Sequence, residues 1–497
     1  MTDNDKISST IDSQTENKIL EDNKPSVKQV LSNATFMVLF AAQFIENIGR
    51  SVSGLALEFL IFQLTASPLL MGILGIVWLL PFVIIAPLAG VLADRFDQRK
   101  LMFISNIISA IASVGFVIVY LFKNQLTLLA LTLGHPSVIS SLSFQATIPN
   151  YLHVLWPLFV LCFINSASAA FFFPSRNAYT RLIVRKKNLL IANSVGSSVF
   201  QIATIIGFVL AGFLAAKSYL LSFIFDATTF AVSGVLIGII FIIGRKPPEV
   251  IREKSQSIKQ EMKSFGDDIV AGYRTIREYP KISYMLIVFS FITFAFAAVN
   301  VLFIVILQGE MHVGQEWYGI LQALMGISGI ITALIFMKIG KIKRKIFVLN
   351  ITFASIAVSM YVFSIVRNLY VMAIILFCYG IMSVCINVPA STLIQESVPY
   401  ELQGRVFGTQ QLLQGVAQLV GMGIVSMIAE YVLPMWVLLA SSIILTITVS
   451  AGFFYSKQKR LMGSDYQDES ISDDFLKFHA ESSVTSGSSP GLTVEDK

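Results

Sequence analysis

The chain has 497 residues, 55% of them hydrophobic and only 13% charged, with a mean hydropathy of +0.73. Soluble globular domains carry roughly 25% charged and about 45–50% apolar residues, so this composition requires a hydrocarbon solvent and excludes an ordinary water-soluble enzyme. The net charge of +6 would raise nucleic acid as a partner in a soluble chain, but here its placement reads as membrane topology and no nucleic-acid partner is expected.

Residues 1–33 are polar and mixed in charge, without a cationic start leading into an early apolar core. They read as a disordered cytoplasmic tail rather than a cleavable signal peptide. A bilayer core about 30 Å thick takes roughly 20 apolar residues per helix. Twelve stretches qualify: 34–63, 69–92, 100–122, 152–174, 189–216, 218–243, 282–308, 317–338, 344–365, 369–395, 404–431 and 432–456. The expectation is an all-α polytopic membrane protein with 12 transmembrane helices: a six-helix half over 34–243, a linker over 244–281, a second six-helix half over 282–456, and a disordered Ser- and Asp-rich tail over 457–497. In the linker, Phe265, Ile269, Tyr273 and Ile276 recur at helical spacing between charges, which predicts an amphipathic helix on the inner membrane face. The connections on one side carry 23 Lys and Arg, against Lys123, Lys217 and Arg367 on the other. The basic side is therefore expected to be cytoplasmic, with both termini inside.

The halves echo each other. Pro174 and Pro389 open comparable stretches after the fourth and tenth spans, 215 residues apart, and Arg99-Lys100 corresponds to Arg344-Lys345, 245 apart. The 30-residue difference between these offsets is about the length of an outer loop, 123–151, that only the first half carries. Two parallel six-helix pseudo-repeats around a midplane site form a transporter architecture.

Catalytic and metal chemistry find little support. Cys162, Cys378 and Cys385 lie in apolar runs, the four histidines are far apart, and no H-E-x-x-H, G-x-x-x-x-G-K-[ST], C-x-x-C or G-x-S-x-G spacing occurs, so neither an enzyme nor a bound cofactor is expected.

The loop G-V-L-A-D-R-F-D-Q-R-K at 90–100 resembles the signature loop of the major facilitator superfamily. Together with S-P-L-L-M-G-I-L-G (67–75), F-F-F-P-S-R-N-A (171–178), F-D-A-T-T-F (225–230) and Q-E-S-V-P-Y-E-L-Q-G-R-V (395–406), it resembles the branch of macrolide-efflux and enterobactin-exporter proteins over roughly residues 34–456. Where drug antiporters of that family often carry G-P-x-x-G-G in the fifth span, this chain has G-F-V-L-A-G from Gly207 to Gly212 and lacks the proline. The resemblance implies the major facilitator fold, export driven by an ion gradient, and a monomer in the cell membrane. It also implies a latch in which Gly90 packs closely and Asp94, with Arg95 and Arg99 beside it, meets Gly404-Arg405 at the start of the eleventh span.

The first span holds the most unusual chemistry. Gln43, Glu46, Arg50 and Ser53 follow one another at i, i+3, i+7 and i+10, forming a single polar stripe. A charge at mid-membrane costs about 2.5–3.5 kcal/mol on insertion scales, so such groups face a cavity or a partner. Glu46 is the candidate proton-exchanging carboxylate with Arg50 as its neighbour, a permanent ion pair is the alternative, and Asp226 is a second candidate. Glu58 is expected near the outer interface and Glu396 to cap or pair locally. Gln411, Gln414 and Gln418 on the eleventh span, Gln201 on the fifth, and Asn165, Asn300 and Asn387 elsewhere line a mainly apolar cavity dotted with amides, or act as interhelical glue. This lining suits a bulky amphipathic drug, macrolide or siderophore. A lysophospholipid or nutrient carrier of the same fold is the alternative within transport, and a polytopic enzyme or receptor the alternative outside it.

Overall fold

A computed structural model describes residues 26–132, 152–245, 258–339, 342 and 344–458. Of the tails expected over 1–33 and 457–497, residues 1–25 and 459–497 lie outside the described residues, as do most of the outer loop and linker positions 246–257; the described end of the N-terminal tail holds a short helix instead of being disordered, and 457–458 end the last helix. The regular structure is helical throughout: α1 (Val27–Leu31), α2 (Ala34–Thr65), α3 (Pro68–Ile84), α4 (Ala86–Arg95), α5 (Gln98–Thr132), α6 (Leu152–Ile183), α7 (Leu189–Lys217), α8 (Tyr219–Ile243), α9 (Ile258–Glu278), α10 (Pro280–Ile304), α11 (Gln315–Ile339), α12 (Lys345–Ile365), α13 (Leu369–Ser397), α14 (Tyr400–Ala429) and α15 (Pro434–Gln458).

Ten of the described helices are long and apolar enough to cross a bilayer. The 32-residue α2 and the pair α3–α4 complete twelve crossings in the expected order. The sequence reads 69–92 as one span, but the helix is interrupted at Ile85. Pro87 follows two residues later, and a proline there has no N–H to offer the Val83 carbonyl.

Helix starts are set by short polar side chains. Asn33 Oδ1 accepts from Phe36 N at 3.1 Å, Ser67 Oγ from Leu70 N at 3.3 Å, and Asn368 Oδ1 from Tyr370 N at 3.0 Å, each satisfying an amide that the first helical turn leaves unpaired. Apolar side chains such as Ile111, Leu334, Val358 and Ile374 stand exposed on the outside of the bundle, as a lipid-facing surface requires.

The two halves repeat one packing scheme. In the first, α2 packs on α7 and α8, α5 on α6 and α8, and α3–α4 on α6; in the second, α10 packs on α14 and α15, α12 on α13 and α15, and α11 on α13. Advancing each first-half contact by six crossings gives its second-half counterpart. The halves meet through α3 on α14 and α7 on α11, two contacts that the same operation exchanges.

These seams are tightest at the end away from the basic connections. A Cβ at Gly72 would lie 2.1 Å from Ser426 Cβ, and one at Gly319 would lie 2.3 Å from the Phe208 carbonyl oxygen. Toward the basic end, Gly90 on α4 and Gly404 and Gly408 on α14 have nothing within 4 Å of such an atom. The halves are thus in close contact at the far end, while these three glycines meet no neighbour across the seam at the basic end. The close packing expected of Gly90 is absent from this conformer.

The linker helix α9 does not simply lie on a membrane face. It packs along α14 and also touches α4, with the Gly272 backbone against Arg405 O and Thr409 Oγ1. Ile276 is buried and Ile269 half-buried, whereas Tyr273 is 58% exposed and falls off the packed face; the Phe265 side chain lies outside the described part.

Gly319→Val is expected to obstruct far-end closure and destabilise the protein by about 1–3 kcal/mol, the usual range for overpacking, whereas Gly90→Ala changes stability by less than about 0.5 kcal/mol. Thermal unfolding of the two variants in one detergent checks the contrast.

Candidate functional site

The polar stripe of α2 is turned inward against α8 and α6. Glu46 Oε1 and Arg50 Nη2 are 2.5 Å apart with side chains only 4% and 12% exposed. The guanidinium also donates from Nη1 to Asn165 Oδ1 at 3.4 Å and sits 5.3 Å from the Phe230 ring centroid. One turn along α2, Gly49 lets α8 approach so closely that a Cβ would stand 3.0 Å from Asp226 Oδ1. Asp226 is fully buried and accepts from Ser113 Oγ of α5 at 2.7 Å. Below it, Asn106 donates to Ser233 Oγ at 2.7 Å. Arg176 of α6 lies within electrostatic reach of Glu46, with its guanidinium 5.3 Å from the Phe173 ring.

This cluster is incompletely satisfied. Glu46 Oε2, Arg50 Nε and Asp226 Oδ1 have no hydrogen-bond partner among the described residues, and such groups in a dry interior weigh heavily on stability. A void of about 10 Å³ beside Arg50, Ser53 and Asn165 has room for about one water.

The expected cavity residues divide. Gln43 and Ser53 are buried, 3% and 5% exposed, and Asn165 serves as a partner of Arg50, so these three belong to the packed first half and do not face an open cavity in this conformer. Gln201 and Gln411 are exposed. Gln414 is half-buried and its Nε2 has no partner among the described residues. Asn300, Asn387 and Gln418 come together on the wall of a second-half cavity of about 180 Å³.

The expected contact of Asp94 with Gly404-Arg405 lies outside the described part, and Arg99 is engaged within its own half. Arg99 is held by Asp97, with Nη2 to Oδ2 at 2.8 Å and Nε to Oδ1 at 3.1 Å, and stacks on Phe241 at 5.1 Å. Burial acts to raise the Asp97 carboxyl, but the hydrogen bonds and charge of Arg99 outweigh it and hold the group below its ordinary range. Arg95 and Arg405 are exposed, and the Asp94 side chain lies outside the described part. In the second half, the position matching Lys100 is the buried Lys345, which pairs with Glu396 at 2.6 Å, so Glu396 binds a neighbouring helix rather than capping its own.

At the closed end, polar bonds cross between the halves. Glu430, after α14, accepts from Ser67 Oγ at 2.7 Å and from the Leu69 amide at 3.1 Å, so a carboxylate sits on the N-terminus of α3, where the helix dipole favours it. Gln315 donates to Tyr219 Oη at 2.5 Å. Tyr318 of α11 donates to Glu58 Oε2 at 3.5 Å, placing Glu58 in the seam between the halves.

Residues 39–422 match the Major Facilitator Superfamily, and the chain belongs to that superfamily of transporters. It is 25% identical over 405 residues to the uncharacterised MFS-type transporter YfiS of Bacillus subtilis (strain 168), covering 80% of this chain and 87% of the relative. It is 21% identical over 421 residues to macrolide efflux protein A of Streptococcus pyogenes, covering 83% and 94%, and 24% identical over 368 residues to the putative bacilysin exporter BacE of Bacillus subtilis, covering 72% and 80%. Among solved structures, the fold is similar to the nucleoside transporter NupG, with a TM-score of 0.61, 15% identity and coverage of 84% and 98%. It is also similar to a bacterial homologue of the iron transporter ferroportin in its inward-facing state, with a TM-score of 0.64, 12% identity and coverage of 86% and 99%.

Several site residues carried no signal in the sequence. Ser113, Asn106 and Ser233 are ordinary small polar residues until α5 and α8 bring them to Asp226 and to each other. Tyr379 sits in an apolar run, and Glu430 in an unremarkable helix end. A charged residue at the boundary of a span was the one available clue to Glu430.

Arg50→Met is expected to destabilise the protein by about 3–5 kcal/mol by leaving carboxylates uncompensated in the bundle, and adding Glu46→Gln recovers most of that loss; thermal unfolding of the single and double variants measures the coupling. Glu430→Gln removes a charge-assisted bond of about 1.5–3 kcal/mol and opens the far end, so hydrogen exchange at the Leu69 amide rises roughly tenfold or more while exchange in α12 stays unchanged.

Proposed function

We propose that the protein is a secondary active exporter of a bulky amphipathic small molecule, such as a drug, macrolide or siderophore, working by alternating access and proton antiport as a monomer in the cell membrane. The basic end is cytoplasmic in this reading, both termini lie inside, and the conformer described above is the inward-open state that collects substrate.

The observation that carries the coupling is the charge count of the first-half cluster. Two carboxylates, Glu46 and Asp226, lie against α2 and α8 beside one guanidinium, Arg50, with Arg176 as a more distant cation. One guanidinium compensates one carboxylate, so the cluster has a place for an exchangeable proton, and a cationic or polar substrate arriving nearby competes for the same charge. Membrane energetics make this sufficient. One charge moved through 100 mV supplies about 2.3 kcal/mol, enough to hold a roughly forty-fold concentration ratio of an uncharged substrate.

The export direction is supported by relatives that include a macrolide efflux protein and a bacilysin exporter. The substrate class is supported by exposed amides at Gln201 and Gln411 and by the mainly apolar second-half cavity.

Inside-out vesicles energised to an acidic interior test the reading. Addition of a transported macrolide, dye or siderophore is expected to collapse the pH gradient in vesicles of the parent and to leave it standing with Glu46→Gln. Equal collapse in both vesicles overturns the role of Glu46 and passes coupling to Asp226. Substrate leaving the vesicles instead of entering them overturns export.

A further inference from the structure

Helix α9 packs one face and leaves another bare. Gly272, Thr275 and Ile276 are buried and Ile269 half-buried, on the side turned to α14. Val270, Tyr273, Arg274 and Arg277 recur at i, i+3, i+4 and i+7 and so share one strip of the helix surface. Val270 is 50% and Tyr273 58% exposed, and both arginines are exposed. Neither guanidinium has an ion-pair partner among the described residues. An aliphatic and an aromatic side chain beside two cations, on a helix outside the twelve crossings, make a surface for something both acidic and apolar.

The chain carries such a segment and delivers it to this place. α15 ends at Gln458, and Tyr455 in its last turn stacks on Tyr284 with ring centroids 6.3 Å apart. Tyr284 is the fifth residue of α10, which begins at Pro280, two residues after α9 ends at Glu278. The chain therefore leaves the last crossing beside the C-terminal end of α9. Seven residues beyond Gln458 an acidic run begins: Asp465, Asp468, Glu469, Asp473 and Asp474 fall within ten positions that hold no lysine or arginine, and Phe475 and Leu476 follow. Seven extended residues reach up to about 25 Å, and the strip from Val270 to Arg277 is about 10 Å long, so the run is long enough to cover it.

We infer that the acidic run 465–474 docks on this strip of α9, its carboxylates on Arg274 and Arg277 and the apolar residues that follow it against Val270 and Tyr273. Asp267 and Glu278 are exposed as well and stand at the two ends of the strip. A single extended segment passes between them, whereas a broad anionic surface such as a lipid leaflet meets them together with the arginines. Because α9 touches both α14 and α4, the docked run is held on the helix that reaches both halves.

The test uses the purified full-length protein in nonionic detergent with the photoreactive residue p-benzoylphenylalanine in place of Tyr273. Irradiation is expected to join position 273 to residues 465–478 of the same chain, as mapped by peptide mass spectrometry of the band at monomer mass. Replacing the five acidic residues of the run by Asn or Gln is expected to cut the yield roughly three- to tenfold, the loss that follows from two exposed ion pairs. About 1 M NaCl, which shortens the screening length to about 3 Å, cuts it likewise. Arg274→Gln with Arg277→Gln gives the same loss from the other side of the contact and leaves the thermal transition in place, as surface substitutions do. Cross-links at dimer mass, cross-links only to other parts of the chain, or a yield indifferent to neutralising the run overturn the proposal. So does reconstitution into phosphatidylglycerol vesicles if position 273 then labels lipid equally with and without the acidic run, which assigns the strip to the membrane surface.

Discussion

Burying charge inside a hydrocarbon-facing bundle is the constraint from which most of this structure follows. Glu46 and Arg50 lie on a helix that must cross the membrane, where each alone costs about 2.5–3.5 kcal/mol. They are tolerated because the i, i+4 spacing lets them pair at 2.5 Å, and because α2 occupies the centre of the first half, packed on α7 and α8. That position in turn demands small residues. Gly49 admits Thr229 and Asp226 of α8 at contact distance, and this approach brings a second carboxylate beside the same guanidinium. The charge that makes the helix expensive to bury is thus also what gathers two carboxylates around one guanidinium.

The two halves use the shared packing scheme for different chemistry. The first concentrates ionisable groups and small hydroxyls into a nearly solid interior, whose void of about 10 Å³ has space for little more than a water. The second keeps an uncharged cavity of about 180 Å³ walled by aromatic and thioether side chains.

Closure of the far end combines two kinds of contact. The approaches of Gly72 to the Ser426 side chain and of Gly319 to the Phe208 backbone are rigid and distance-limited. The bonds from Glu430 to Ser67 and Leu69 and from Tyr318 to Glu58 are directional and exchangeable with water, so they reform after each opening. At the basic end α9 reaches from α14 to α4, so the linker touches both halves there.

Twelve crossings, the two-half repeat and the presence of an unusual charged stripe on the first span were all legible in the sequence, because each depends on local quantities: how many consecutive residues prefer hydrocarbon, where polar residues fall within a helical turn, and how motifs recur along the chain. Partner choice depends on which faces the bundle brings together, and was decided by the tertiary structure. Arg99 turned to Asp97 and Phe241, Lys345 found Glu396, Asn165 became a ligand of Arg50, and Gln43 and Ser53 were packed away, although a helical wheel alone gives them the same orientation as cavity-lining residues. The break at Ile85 was half legible, since Pro87 is visible but the helix tolerates Pro81 a few residues earlier. Tyr379 shows the limit most clearly. Hydropathy counts it as one more aromatic in an apolar span, and only the tertiary packing around it buries its hydroxyl without a partner among the described residues, because burial and hydrogen-bond satisfaction are properties of surroundings that no single segment contains.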